Sequence, residues 1–497
     1  MSAAPETRRH LVFACLIFAM FMVAIEATVV ATAMPRIVAS VGGFTYYAWV
    51  FSGFLLAQSA TTVMFGKLAD LYGRKPVMIA GLVVFVIGSI AAGFAWSMPS
   101  LIAFRVLQGL GAGAIQPTSM TIVSDLYTLD ERRKTQSYMA SVWGISAIVG
   151  PLAGALIVQH ISWAWVFWIN VPLGLVAIIG MSLFLHERVE RHERPVDYLG
   201  AALFSVGVVA LLLAISPPQG ASALAHPWLF AAIFVVTAPL FFLWERFTRE
   251  PMVALDLWGE PVIAAANGAT FIAGLALIGL TSCLPIYIQA VLGKSPVLAG
   301  LTLTGMAVGW PIAATAAARF FQPRIGLRRT FRWGAAVMVA GSLAFPLLNA
   351  ANGLWLSTLG SFVMGFGMGM VSYACIMLIQ QSTDWTRRGA ATASNVFARL
   401  LGNTLGAAAM GAILNLGLRF SGVRISSEQI RGLMDPHAPT AARAVEPALK
   451  GALGGALHWV FVAMTVLSVL ALLAALTMPK RDLGETLRGG PQPKAAK

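Results

Sequence analysis

The sequence predicts an all-α polytopic membrane protein, a bundle of about fourteen helices that each cross a bilayer. Three observations carry that expectation. Hydrophobic residues make up 58% of the 497 and charged residues 11%, and the mean hydropathy is +0.78. A soluble domain carries roughly a quarter charged residues, and a water-soluble fold of this length has too little interior to hide so much apolar surface. Apolar runs of about 20 residues, the length at which a helix spans the hydrocarbon core, recur along the whole chain. Basic residues collect in alternate loops, the pattern that holds a membrane topology.

The runs fall at approximately 11–33, 47–65, 77–96, 101–123, 136–158, 163–185, 198–216, 228–244, 262–290, 297–318, 333–350, 354–380, 390–417 and 458–478. The first follows Arg8-Arg9 and extends to about Ala33. That is too long for the apolar stretch of a leader, about 7–15 residues, so it is read as a membrane helix. Met98-Pro99-Ser100 and Asn349-Ala350-Ala351-Asn352-Gly353 punctuate later runs.

One set of loops carries Lys67, Arg74 and Lys75, then Arg132, Arg133 and Lys134, then Arg188, Arg191 and Arg194. It continues with Arg246 and Arg249, five arginines from Arg319 to Arg332, and Arg387 and Arg388. Arg8, Arg9, Lys480 and Arg481 place both termini with this set, and the opposite loops before the last carry Arg36 and Lys294. The positive-inside rule then puts both termini in the cytoplasm, which requires an even number of helices. The last outside loop, 419–457, holds five basic and three acidic residues, and a loop this long constrains orientation weakly.

Composition also excludes classes of function. The net charge of +14 reads as this topology signal, because no basic, aromatic-interleaved domain for nucleic acid is present. Cys15, Cys283 and Cys375 sit inside apolar runs with no metal-type spacing. No Walker loop occurs, which excludes an ATP-driven pump. No catalytic constellation appears, no cofactor motif is present, and the seven histidines fall mainly at membrane edges, so an enzyme is not expected.

Two patterns repeat along the chain. Gly66 to Lys75, between helices two and three, is echoed by Arg319 to Arg328 between helices ten and eleven. Gly109, Gly111 and Gly113 in helix four are echoed by Gly365, Gly367 and Gly369 in helix twelve. Two six-helix halves, 1–187 and 261–497, with helices seven and eight inserted at 188–260, account for both echoes. Paired halves around a midplane site are a transporter architecture.

These motifs resemble those of the major facilitator superfamily. Gly66-Lys67-Leu68-Ala69-Asp70-Leu71-Tyr72-Gly73-Arg74-Lys75 is similar to its signature loop. Leu101 to Gly113, with Arg105, Gln108 and Gly109, resembles its fourth-helix motif, and Gly150-Pro151-Leu152-Ala153-Gly154 its fifth-helix antiporter motif. Glu26-Ala27-Thr28-Val29-Val30 with Met34-Pro35, and Asn170-Val171-Pro172 within Phe167 to Gly174, resemble runs of the fourteen-helix drug:proton antiporter branch. The sequence departs from that pattern at Glu26, where the branch usually has Asp, and at Ala155, where a second glycine is usual. The second half also lacks the motif's charges, with Pro323 opposite Asp70 and Ser361 opposite Arg105. The resemblance implies a major facilitator fold and a monomer in the bacterial plasma (inner) membrane. It also implies proton-driven export of small lipophilic compounds without a cofactor.

The residues themselves suggest roles. Glu26 is the only carboxylate near the middle of a predicted span, and an acid there is a functional candidate by default. Burial disfavours the charged form of a carboxyl, so Glu26 would load and release a proton as its access alternates, or attract a cationic substrate when ionised. A structural, protonated acid is the alternative. Arg105, about four residues into helix four, either snorkels to water or, as the resemblance implies, tunes proton binding. Asp70 and Arg74 are spaced for a local ion pair if the loop is helical, and the resemblance implies that Gly66, Asp70, Gly73 and Arg74 form a conformational latch. Lys67 and Lys75 read as topology signals. Pro151 bends helix five, and Gly150 and Gly154 give it a small-residue packing face, expected to form a contact between halves that seals the cytoplasmic side against leak, with plain structural packing as the alternative. Met22 lies one turn before Glu26. With Gln58, Gln116, Trp143, Asn267 and Trp310 it completes the candidate substrate cavity, lined sparsely by charge and suited to cationic or neutral lipophiles. Arg399 in helix thirteen has no assigned role beyond pairing with a lipid headgroup or a neighbouring helix end. Export of a lipid or native metabolite, and a non-transporting receptor or assembly role, are the other functions open at this point.

Overall fold

The computed structural model describes residues 7–127, 129–187, 197–215, 227–248, 255–383, 388–421 and 446–479. Helices appear at every position where the sequence places one. They are α1 (Arg9–Val41), α2 (Tyr47–Tyr72), α3 (Arg74–Gly93), α4 (Met98–Leu126), α5 (Leu129–His160), α6 (Asn170–Phe184), α7 (Tyr198–Ile215) and α8 (Pro227–Phe247). The second half continues with α9 (Pro261–Ile286), α10 (Pro296–Ala316), α11 (Leu327–Ser342), α12 (Gly353–Gln381), α13 (Arg388–Phe420) and α14 (Glu446–Leu476). A helical turn, Trp165–Trp168, leads into α6, and π-helical segments extend α9 over Tyr287–Val291 and α10 over Ala317–Phe321.

Twelve of these helices are long and apolar enough to cross a membrane, among the described residues. By that measure fourteen spans are not confirmed, while the all-α membrane fold class is the one expected. Two of the predicted spans form shorter helices: the apolar stretch of α7 is Leu199–Ile215, and α11 has 16 residues with Arg328, Arg329 and Arg332 in its first two turns.

Local chemistry sets the boundaries. Ser97 and Ser100 bond reciprocally as a capping box at the start of α4, satisfying amide donors that the first turn leaves open. Gly73 (φ 95°) and Gly326 (φ 79°) occupy equivalent breaks, between α2 and α3 and between α10 and α11. Both turns need a left-handed backbone that a residue with a Cβ rarely adopts.

The glycine echo seen in the sequence is a packing repeat. Gly109 and Gly113 press on α2 at Phe54 and Gln58, while Gly111 presses on α3 at Gly81 and Phe85. Gly365 and Gly369 press on α10 at Met306 and Trp310, while Gly367 presses on α11 at Gly334 and Met338. Gly150 and Gly154 of α5 lie against α1, as Gly402 and Gly406 of α13 lie against α9. Small residues let these backbones approach closely, the usual basis of helix association in lipid.

The halves share one core at the end of the bundle opposite the termini. That core combines Val29, Met34 and Tyr47 with Leu284, Tyr287 and Phe461. At the terminal end each half has its own core, one around Leu16, Met78 and Ile122, the other around Ile263, Phe331 and Leu378. The bundle is thus joined far from the termini and divided near them. Helices α7 and α8 pack over the seam, where Phe204, Leu212 and Phe241 meet Leu56 and Ala60 of α2 and Phe397 of α13. Asp197 ties the inserted pair together by accepting from Gly200 N and Trp244 Nε1, both at 2.8 Å. Most of the 419–457 loop lies outside the described residues.

Candidate functional site

Glu26 and Arg105 meet in the interior of the first half, at 0% and 2% exposure. Arg105 Nη1 donates to Glu26 Oε1 and to Gln108 Oε1 at 2.7 Å, and its Nε donates to the Val50 carbonyl at 3.3 Å. Its guanidinium stands 4.1 Å from the ring centroid of Phe54. Asn170 Nδ2 donates to Glu26 Oε2, and Gln108 Nε2 donates to Ser89 Oγ at 2.8 Å. Five helices, α1, α2, α3, α4 and α6, thereby converge on one carboxylate. Ordered packing holds the cluster: a Cβ at Gly88 would lie 2.6 Å from the Gln108 backbone nitrogen, so only glycine lets α3 sit this close to α4.

Arg105 does not snorkel to water: its guanidinium is buried beside Glu26. A buried ion pair is costly to desolvate and is kept only where hydrogen bonds satisfy both partners. Here they largely do, and Asn170 Oδ1 is the exception, a buried acceptor without a hydrogen-bond partner. The equivalent place in the second half holds no such network. Counting back from the matched glycines, Ser361 and Met364 stand where the first half has Arg105 and Gln108.

Gly73 divides the signature loop in the structure. Gly73 breaks the helix, so Arg74 does not continue the turn of Asp70; the side chain of Asp70, like that of Lys67, lies outside the described residues. Arg74 faces Asp125 at 3.1 Å and Glu187 at 3.4 Å. Glu187 accepts from the backbone nitrogens of Arg74 and Lys75, both at 2.9 Å, placing a carboxylate at the amino end of α3, where the helix dipole favours it. Lys75 is more than a topology signal: its Nζ donates to the carbonyls of Ser182 and Leu185 at 2.8 and 2.7 Å, capping the carboxyl end of α6. A Cβ at Gly66 would meet nothing within 4 Å.

On α5 the motif divides its work. Gly150 and Gly154 face Thr28, Val29 and Thr32 of α1, within the same half. The contact between halves belongs to Pro151, whose carbonyl would lie 2.7 Å from a Cβ on Gly300 of α10. Two hydrogen bonds join the halves nearby: Tyr47 Oη donates to the Ser282 carbonyl at 2.6 Å, and Gln289 Nε2 to the Thr32 carbonyl at 3.3 Å. Tyr47, Ser282 and Cys283 line a small void at this junction with Ala407, Gly411 and Leu414.

The expected cavity residues do not form one wall. Met22 is fully buried in the first half's own core, its sulfur beside Gly174. Gln58 is buried against α4, whereas Gln116, Trp143 and Trp310 are partly exposed. Asn267 belongs to a separate polar cluster in the second half, donating to Ser394 Oγ at 3.1 Å and accepting from Asn395 Nδ2 at 3.0 Å. Asn170, Ser89, Tyr47 and Glu187 had no role in the sequence reading. Asn170 carried a usable signal, a lone amide at the start of an apolar run; the others did not.

Comparison with known proteins agrees with this architecture. The profile of the Major Facilitator Superfamily matches residues 16–407. The chain is 31% identical to the Multidrug resistance protein 3 of Bacillus subtilis (strain 168), with 98% of both chains covered. It is also 31% identical to the Multidrug transporter protein MdtP of the same organism, over 82% of this chain and 76% of the relative. Among solved structures, a bacterial homologue of the human lysosomal transporter Spinster superposes with a TM-score of 0.65 at 17% identity, covering 95% of this chain and 97% of the other.

Proposed function

We infer function from one premise: this chain belongs to the Major Facilitator Superfamily, and it is a multi-pass membrane transporter, not an enzyme. Our reading is that it exports small lipophilic compounds in exchange for protons, as the fourteen-helix antiporter branch does, from the cytoplasm of a bacterium across its plasma membrane. The observation that carries the proton half of this reading is the buried Glu26–Arg105 pair, because it offers a carboxylate two protein-held states.

With Glu26 ionised, Arg105 and Asn170 both donate to it. When a proton arrives, the attraction to Arg105 is lost, yet Arg105 keeps Gln108, the Val50 carbonyl and the face of Phe54. Its guanidinium keeps those partners but loses its counter-ion, so protonation leaves a buried cation that favours rearrangement. Asn170 has a matching second state. Turning its amide would bring the unpartnered Oδ1 round to accept from the new carboxylic O–H. Protonation thereby changes the ties that Glu26 makes from α1 to α4 and α6 inside the first half.

The packing supports a conformation closed opposite the termini and divided beside them. With the termini in the cytoplasm, that is an inward-facing state. The names of the relatives support multidrug efflux over export of a lipid or a single metabolite. The cationic preference expected from an exposed Glu26 loses its basis, since Arg105 neutralises that charge; lipophilicity is the feature the path retains. The test is reconstitution in proteoliposomes with a panel of lipophilic dyes and an imposed pH gradient. Gradient-dependent flux supports the reading, flux that ignores the gradient removes the proton, and no flux from folded protein favours the receptor alternative.

A further inference from the structure

Arg399 is a cation inside the membrane-crossing part of α13, about 16 Å from the helix start at 1.5 Å per residue. It is partly exposed. Among the described residues it makes no hydrogen bond or ion pair; the cations that do pair with acids include Arg9, Arg74 and Arg105. An intramembrane arginine left unpaired is costly, and such residues face a bundle interior or a water-filled path.

The pseudo-symmetry of the halves says which way this one faces. Gly402 and Gly406 match Gly150 and Gly154, so Val396, Arg399 and Asn403 stand at the places of Gly144, Ala147 and Pro151. Both Gly144 and Pro151 meet α10 of the other half, at Pro311 and Gly300. Positions three and four residues apart share a helix face, so Arg399, lying between the other two, belongs to the face of α13 turned toward the seam. One turn beyond Asn403, Ala407 lines the void at the sealed end with Gly411 and Leu414. Polar groups flank the arginine on the same side. Asn395 lies one turn before it, its Nδ2 already donating to Asn267 Oδ1 and Thr270 Oγ1 at 3.0 and 3.1 Å, and Asn403 lies one turn after it, buried. Asn403 approaches α9 at Gly274, which carries no side chain to fill the space. No acid faces this stripe from α9, whose described residues include none.

We propose that Arg399, with Asn403 one turn beyond it, is an anion-binding subsite on the transport path. It would receive the carboxylate, sulfonate or phosphate of an otherwise apolar substrate. The proposal rests on the export reading above and gives it a substrate class: amphiphilic anions. A charge-assisted hydrogen bond of the kind Arg399 would make is worth about tenfold or more in affinity. The anionic headgroup of a lipid offers the same chemistry, and the experiment separates the two.

The full chain is purified in detergent and reconstituted in phosphatidylcholine vesicles. Taurocholate is the anionic probe, methyl cholate its uncharged relative and rhodamine 6G a cationic control. Wild type is expected to bind taurocholate about tenfold more tightly than methyl cholate, and Arg399→Gln to lose that preference while Arg399→Lys retains most of it. Equal affinity of wild type for the two steroids overturns the subsite, and this comparison needs no variant to fold. Arg399-dependent stabilisation by phosphatidylglycerol, with no taurocholate binding, also overturns it and makes a lipid the occupant. If rhodamine 6G is exported under a pH gradient while taurocholate neither binds nor moves, the subsite fails and the export reading stands. If nothing is transported, the export reading fails, and taurocholate binding in detergent still decides the subsite.

Discussion

Arg105 donates a hydrogen bond to Glu26 across 79 residues of sequence, and the two side chains are closed off from solvent inside the first half. Removing one partner strands the other as a buried charge or an unused pocket. Arg105→Met is therefore expected to cost about 3–5 kcal/mol of stability. Glu26→Leu combined with Arg105→Met should cost clearly less than the sum of the single changes. Unfolding of the four proteins in detergent gives the coupling directly, and strictly additive losses would contradict the pairing.

Gly88 and Gly66 should respond in opposite ways. A Cβ at Gly88 collides with the Gln108 backbone, so Gly88→Val forces α3 from α4 and is expected to cost about 1–3 kcal/mol or more. At Gly66 the space is open, and Gly66→Ala should hold or raise stability by up to about 1 kcal/mol through helix propensity. If Gly66→Ala nonetheless slows transport, the glycine serves a contact made only in another conformation. Thermal unfolding beside a flux assay reads both effects.

Tyr47 is expected to hold the sealed end. Cys283 lines the same void and is buried, which makes it a native reporter. In a Cys15→Ala, Cys375→Ala background, Tyr47→Phe removes the bond to the Ser282 carbonyl and should speed maleimide labelling of Cys283 several-fold. A bond of this kind contributes about 1 kcal/mol, enough for a factor of about five in the population of the open state. An unchanged rate would mean that the apolar packing alone sets the seal.

Lys75→Met should destabilise the protein by about 0.5–2 kcal/mol, through loss of the charge at the carboxyl end of α6. Lys75→Arg should retain part of it. A cost equal to that of substitution at a freely exposed lysine would return Lys75 to a topology signal.

The helical class, the basic loops and the repeat were legible because each is a periodic or compositional signal. The glycine echoes proved to be packing contacts, since glycine in a membrane helix marks where another backbone comes close. The number of spans was legible only approximately, because the apolar stretch of α7 and the whole of α11 fall below the length of the other spans and α11 opens on Arg328, Arg329 and Arg332. Glu26 stood out as the lone mid-span acid. Its partners did not: nothing in spacing says that residues 26, 105 and 170 meet, because those distances depend on how three helices cross. The expected cavity failed as a set for the same reason. A polar residue in a span faces inward, but whether toward its own half, as Asn267 does, or toward the seam is decided by helix rotation.

Glu26 is the residue proposed to carry the coupling proton. The most direct measurement compares two modes of transport in proteoliposomes, for wild type and Glu26→Gln. Substrate-for-substrate exchange needs no net proton movement, whereas efflux driven by a pH gradient does. The account predicts that wild type performs both, and that Glu26→Gln keeps exchange while losing at least about 90% of gradient-driven efflux, a loss of about 1.4 kcal/mol or more in coupling. Gradient-driven efflux by Glu26→Gln at the wild-type rate, with the same dependence on pH, would contradict it.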